Sequence, residues 1–264
     1  MSEQTLPRVG GLLFGPQSAR GDYRAVLQWL VVTAALALAV AVLWQWGLVQ
    51  SVLTTDHTYM SVLIVVVFAL ATLHCLVQCL AISQEQISAR ETTRLFADHS
   101  EAQIEVEDGT VKLGARALPS GILSRHIGNL TRKARLQGQG AVDQGTLLRD
   151  LADELQKRER PGLFVSEALL RLALLGTAIG FILMLIPISG ITGFEADVLR
   201  EALSGMSAGM AIALNVTVLG IACALILKLQ YFLLDAEIAS LYSSVVKVTE
   251  IEVLPRLHRS IHAG

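Results

Sequence analysis

Two threonines interrupt long apolar runs in this chain. Thr177 stands in L-L-G-T-A-I-G-F-I-L-M-L-I-P, and Thr217 in G-M-A-I-A-L-N-V-T-V-L-G. A threonine hydroxyl donates one hydrogen bond and accepts two. In an apolar setting it can donate to a charged carboxylate and accept from a neutral carboxyl without titrating. The plainer alternative is that each hydroxyl bonds the carbonyl four residues back and serves packing alone. Small residues accompany both threonines. Gly176 and Gly180 are four apart, and Gly205, Gly209, Ala213 and Thr217 form an i, i+4 stripe that Gly220 continues. Lipid gives helices no hydrophobic drive to associate, so close approach at small residues is what holds them together. The stripes predict two helices packed face to face.

The elements that carry these residues are membrane spans. The chain has 264 residues, of which 53% are apolar, concentrated in a few long runs. Four runs reach the ~20 residues that a spanning helix needs: Leu27 to Val49, Tyr59 to Ile82, Ala168 to Ile188 and Met206 to Leu229. Trp29, Trp44 and Trp46 near the ends of the first read as interface anchors. Lipid offers no partner for unpaired backbone groups, which excludes an open sheet, and the alternating segments of a barrel are missing. A net charge of -2 gives no reason to expect nucleic acid. Cys75, Cys79 and Cys223 all sit in apolar runs, so no disulfide framework is expected. The polar first ~25 residues and the long run behind them do not read as a cleavable signal peptide.

Lys and Arg set the expected orientation. The leading segment, the long middle segment and the tail carry nearly all of them, while 50–58 has none and 190–205 only Arg200. Both termini and the middle segment are therefore expected in the cytoplasm. The predicted fold is an all-α integral membrane protein with four spans and a mainly helical cytoplasmic domain between spans 2 and 3. Its divisions are a leading segment 1–26, spans 1 and 2 in 27–82, the domain 83–167, spans 3 and 4 in 168–229, and a C-terminal helix 230–264. In the domain, alternation around Asp108-Gly109 predicts a small β-hairpin over 104–113. Helical spacing marks 121–135 and 143–158, with Asp143 as N-cap and Pro161-Gly162 as the stop. Residues 195–203 read as a separate amphipathic helix, and the tail helix is expected to end near Leu254-Pro255.

Depth adds to the stripes. Thr177 lies ~14 Å from the cytoplasmic end of its span, and Thr217 is about equally far from either end of its own. The two helices run in opposite directions, so both hydroxyls are expected near mid-bilayer at one height. The central portions of the spans contain no Asp or Glu.

The segment Leu172 to Leu234 resembles the MotA/TolQ/ExbB proton-channel family. The motifs are L-x-L-L-G-T-x-x-G-F at Leu172 to Phe181 and G-M-x-x-A-L-x-x-T-x-x-G at Gly209 to Gly220. The four-span order is similar to MotA, whereas the G-T-x-x-G form is closer to TolQ and ExbB, which have three spans. The resemblance implies a homopentamer around a dimer of a single-span MotB/TolR/ExbD-like partner in the bacterial inner membrane. That partner would carry a membrane Asp, which Thr177 and Thr217 would face. It implies conduction of H+, with Na+ as the other candidate ion, and no cofactor.

Other residues have two readings each. Pro187 is a pore-widening bend or simply a helix end. Arg171 with Glu167 is an entry gate or an interfacial ion pair. His74, Cys75 and Cys79 have too few ligands for a metal site and read as a packed or lipid-facing cluster. No catalytic constellation is visible, so an enzyme ranks last. The alternative to a motor channel is a structural scaffold that conducts no ions.

Overall fold

The computed structural model describes residues 59–99, 102, 104–107, 110–137, 143–189 and 196–262, with isolated positions between Leu27 and Gln45. Most of the expected first span, with its three tryptophans, lies outside the described residues, although residues 30–35 within it are helical. The leading segment 1–26 and the Asp108-Gly109 turn also lie outside them.

The protein is mostly helical. Three of the described helices are long and apolar enough to cross a membrane. The first, α1 (Met60–Asp98), has 39 residues, and α4 (Arg160–Ser189) has 30. The third, α5 (Ala196–Val248), has 53 residues. At helical rise α1 is ~58 Å long and α5 ~80 Å, against a hydrocarbon core of ~30 Å. Both therefore project well beyond the apolar bundle. The α4–α5 pair makes the most extensive helix contact, and α1 packs along both. Ile64, Leu169, Val216 and Leu227 are fully buried along this three-helix bundle.

The projecting ends of α1 and α5 carry the domain. β1 (Ile104–Glu107), β2 (Thr110–Leu113) and β3 (Arg116–Ala117) form an antiparallel sheet in that order. Ile104 pairs with Leu113 and Val106 with Val111. An isolated hairpin would be marginal, and here α2 (Ile122–Gln137) covers its apolar face. Gly128 of α2 approaches Val111 so closely that an added Cβ would lie 3.2 Å from its Cγ2. The β3 strand was not foreseen, since two residues are too few for a periodic signal. The Ile122 N–H, at the start of α2, donates to Glu85 Oε2 on α1 at 2.7 Å, a charge-assisted cap. Phe96, Ile127, Leu130, Leu155, Leu241 and Val245 form the core of this end.

Three expected helix boundaries are corrected. α3 (Gly145–Gln156) ends at a turn over residues 157–159, and Pro161 opens α4 instead of closing α3. A proline fits the first helical turn, because the N–H it lacks would have no partner there. Gln144 holds the N-cap position of α3, while Asp143 Oδ1 accepts from the Gly145 N–H at 2.8 Å. Residues 196–203 are the start of α5, not a separate helix. Gly205 does not break it, because that glycine is used for packing.

At the other end Pro255 does not stop the chain. A π-helical turn, Thr249–Val253, precedes α6 (Leu254–His262). The Leu254 N–H bonds Thr249 O, five residues back. The wider turn accommodates a proline that has no N–H and whose ring would crowd the carbonyl four residues back. Arg256 of α6 then ties the ends of the long helices together. It donates to Phe96 O at 2.9 Å and His99 O at 2.8 Å, pairs with Glu252 at 2.9 Å and lies over the Phe96 ring. A cation on the exposed carbonyls at a helix C-terminus also complements the helix dipole.

Candidate functional site: a hydroxyl pair between glycine-lined helices

α4 and α5 run antiparallel, and their small residues interlock in order. From one end to the other, Ala173 meets Gly220, Gly176 meets Val216, Gly180 meets Ala213, Met184 meets Gly209 and Pro187 meets Gly205. The α4 positions recur every three or four residues, the period that keeps one face of a helix on its partner. A Cβ added at Gly180 would lie 2.8 Å from the Ala213 backbone, and one at Gly209 would lie 2.7 Å from that of Met184. These glycines let the two backbones come together.

Thr177 and Thr217 occupy the centre of this ladder. Their Oγ1 atoms are 2.5 Å apart. Each hydroxyl also reaches its own i−4 carbonyl: Thr177 to Ala173 O at 2.9 Å and Thr217 to Ala213 O at 2.9 Å. The proton count decides what this can do. Two hydroxyls carry two protons, so at most two of these three contacts are hydrogen bonds at any instant. When one hydroxyl turns to its neighbour, it releases its carbonyl. The pair therefore has alternative donor arrangements and free lone pairs, and it can serve a third group as donor or acceptor. Both threonines are half-buried. Beside them opens a groove of about 130 Å³ lined by Thr177, Phe181, Met184, Met210, Ala213 and Leu214. Among the described residues that line it, Thr177 carries the only polar side chain. Phe181 and Leu214 on its rim are 54% and 66% exposed.

A search for similar proteins finds no match among family models, curated proteins or solved structures.

The remaining singled-out residues divide. Pro187 lies within the last turns of α4, seated against Gly205. Its place in the ladder is a packing contact, and the helix continues past it to Ser189. Arg171 pairs with Glu167 at 3.5 Å, with both side chains at least 67% exposed. A surface pair of this kind contributes little. Cys75 and Cys79 are buried, not lipid-facing. His74 bonds Tyr231 on α5 with 2.7 Å between Nδ1 and Oη. The sequence reading missed Tyr231, although Thr72, His74 and Gln78 are a visible polar file within an apolar run. Ala173 and Met184 continue the Gly176–Gly180 face at i−3 and i+4, and they were missed as ladder positions because neither is itself a glycine.

Proposed function

We propose that this chain is the channel subunit of an ion-driven, stator-type membrane motor of the MotA/TolQ/ExbB kind. The observation that carries the reading is the Thr177–Thr217 hydroxyl pair, 2.5 Å apart in a glycine-lined helix pair. No Asp or Glu occurs between Glu167 and Glu195 or between Glu201 and Asp235. A proton pathway here needs a carboxylate from elsewhere. In this reading a single-span partner supplies an aspartate, and its helix lies along the α4–α5 face beside the groove. The charged aspartate accepts from a threonine hydroxyl. Once protonated, it donates to a hydroxyl oxygen that has turned its own proton to the i−4 carbonyl. The threonines serve both states without titrating, and the pair's spare contact makes the exchange cheap. One proton moving down 100 mV supplies about 2.3 kcal/mol for work. The assembly is a homopentamer around a partner dimer, in a bacterial inner membrane, with the domain on the cytoplasmic side. Sodium is the alternative ion.

The test is proton flux into pyranine-loaded vesicles containing the chain with its single-span partner. Thr177→Val, Thr217→Val and the double variant should each reduce flux at least about tenfold, the effect of ~1.4 kcal/mol on a barrier. Undiminished flux in all three removes the pore assignment.

A scaffold reading has one observation in its favour: both hydroxyls reach their own i−4 carbonyls, as packing threonines do. A stable assembly with no acidic partner and no flux would support it.

A further inference from the structure

Where α1 and α5 project beyond the apolar bundle they run side by side, and a groove of about 500 Å³ opens between them. Its floor is apolar, with Ala89, Leu241 and Val248 buried. Its walls carry cations. Arg90 and Arg94 rise from α1, one helical turn apart, and Lys247 from α5, and all three are exposed. The hydroxyls of Thr93, Ser240 and Ser244 lie among them. Thr93 and Ser244 donate to carbonyls of their own helices. The π-helical turn contributes Glu252 and Ile251, whose aliphatic side chain is 59% exposed. Turns of this kind are frequent at functional sites.

The charges of this groove do not balance. Among the described residues that line it, Glu252 is the only acid, and it is committed to Arg256 at 2.9 Å. Gln86 turns its amide to Glu237, at 2.8 Å, which does not line the groove. Arg125, Arg171 and Arg256 each have an ion-pair partner, whereas Arg94 and Lys247 have none among the described residues. Arg90 keeps a contact of its own within the chain, so the excess charge resides on the other two. Like charges one turn apart on a helix repel, and Lys247 adds a third cation across the groove. An anion seated between them turns that repulsion into attraction.

We propose that this groove binds a soluble organic phosphate, with its phosphoryl group between Arg94 and Lys247 and its carbon body over Leu241 and Ile251. A phosphate monoester carries close to two negative charges at neutral pH and so matches two cations offered by two helices. The guanidinium supplies a bidentate fork and the ammonium a point charge. The Ser240 hydroxyl adds a donor. The volume lies within the ~300–1,000 Å³ of small-molecule sites. Depth favours a soluble ligand over a lipid headgroup. Glu85 and Asp235 are the first acids beyond the two apolar runs, and Arg94 and Lys247 follow them by 9 and 12 residues, or ~14 and ~18 Å. The headgroup layer is only about 5–7 Å thick. A ligand held here ties α1 to α5 beside the Arg256 contacts, and so stiffens the joint between bundle and domain.

The test is calorimetric titration of phenyl phosphate into the full chain in phosphatidylcholine nanodiscs, at about 0.15 M salt. One molecule should bind per chain with Kd below about 1 mM. Arg94→Gln and Lys247→Gln replace exposed side chains, so both variants should fold, and each should weaken binding at least about tenfold. Arg149→Gln, which removes an exposed cation from α3, should leave Kd within about twofold. Inorganic phosphate should bind more weakly than phenyl phosphate, and Ile251→Ser should narrow that difference. No binding, or binding that Arg94→Gln and Lys247→Gln both leave in place, overturns the proposal. Loss of binding in phosphatidylglycerol nanodiscs would show headgroups filling the groove and overturn the soluble ligand. An oligoglutamate peptide that binds more tightly than phenyl phosphate would make it a peptide groove and overturn the phosphate. None of these results depends on ions passing Thr177 and Thr217, so this site and the pore reading stand or fall separately.

Discussion

Replacing Gly180 by alanine should uncouple the two threonines without touching either. The added Cβ would lie 2.6 Å from Ala213 Cβ and 2.8 Å from its Cα and N. Ordinary carbon contacts begin near ~3.5 Å, and the obstacle is backbone, so no rotamer change relieves it. The helices must part by roughly 1 Å at this level. Thr177 and Thr217 lie one turn away, and their 2.5 Å separation would open to about 3.5 Å, the outer limit of a hydrogen bond. Forcing extra volume into a packed interface costs ~1–3 kcal/mol, and a lost interhelical hydrogen bond in a membrane costs about 0.6–1.7 kcal/mol. The assay is a double-mutant cycle of Thr177→Val and Thr217→Val, measured by reversible unfolding in lipid bicelles in both backgrounds. The coupling should be about 1 kcal/mol with Gly180 and close to zero with alanine. As a control, Gly128→Ala meets only Val111 Cγ2, at 3.2 Å; its cost should stay below ~1 kcal/mol and the coupling unchanged. A coupling that survives Gly180→Ala in full would refute the claim that glycine-limited approach holds the pair together.

Three further outcomes follow from other contacts. Gly162→Ala drives a methyl into the Tyr231 ring and should destabilise the bundle by about 3 kcal/mol, and adding Tyr231→Ala should recover part of the thermal midpoint that the single variant loses. Arg256→Met removes the buried donors to Phe96 O and His99 O; the cost should be ~3 kcal/mol, seen as faster amide exchange in the last turn of α1. Burial holds the His126 imidazole below its ordinary range, against a smaller upward pull from the Gln144 hydrogen bond. Below ~pH 6.5 the unfolded chain therefore takes up a proton that the folded domain resists. Domain stability should fall as pH drops through that value, and His126→Leu should flatten the slope in a chemical-denaturation series at pH 5 to 7.5.

Local patterns carried much of this fold. Apolar runs longer than a bilayer core announce spans wherever they occur, because burying unpaired backbone in lipid leaves the helix as the workable choice. The small-residue stripes on α4 and α5 were legible because a repeat of three or four lies on one helical face. Alternation from Ile104 to Leu113 was legible for the same kind of reason, as period two lies on one face of a strand. The proline signals misled because a proline's effect depends on whether its missing N–H had a partner. At Pro161 it had none to lose, and at Pro255 a π turn took up the change.

Which hydroxyl meets which could be narrowed from the sequence but not settled by it. Thr177 and Thr217 are 40 residues apart, and a shift of one turn along the α4–α5 contact would pass them ~5 Å out of reach. The register comes from Gly180 on Ala213 and Gly209 on Met184, where two backbones find the depth that lets both glycines be filled. Tyr231 shows the same division more sharply. Its type and place in an apolar run say only that its hydroxyl needs a partner. That the partner is His74, 157 residues away, was decided by Gly162 leaving room for the ring, a fact that exists only once three helices are packed.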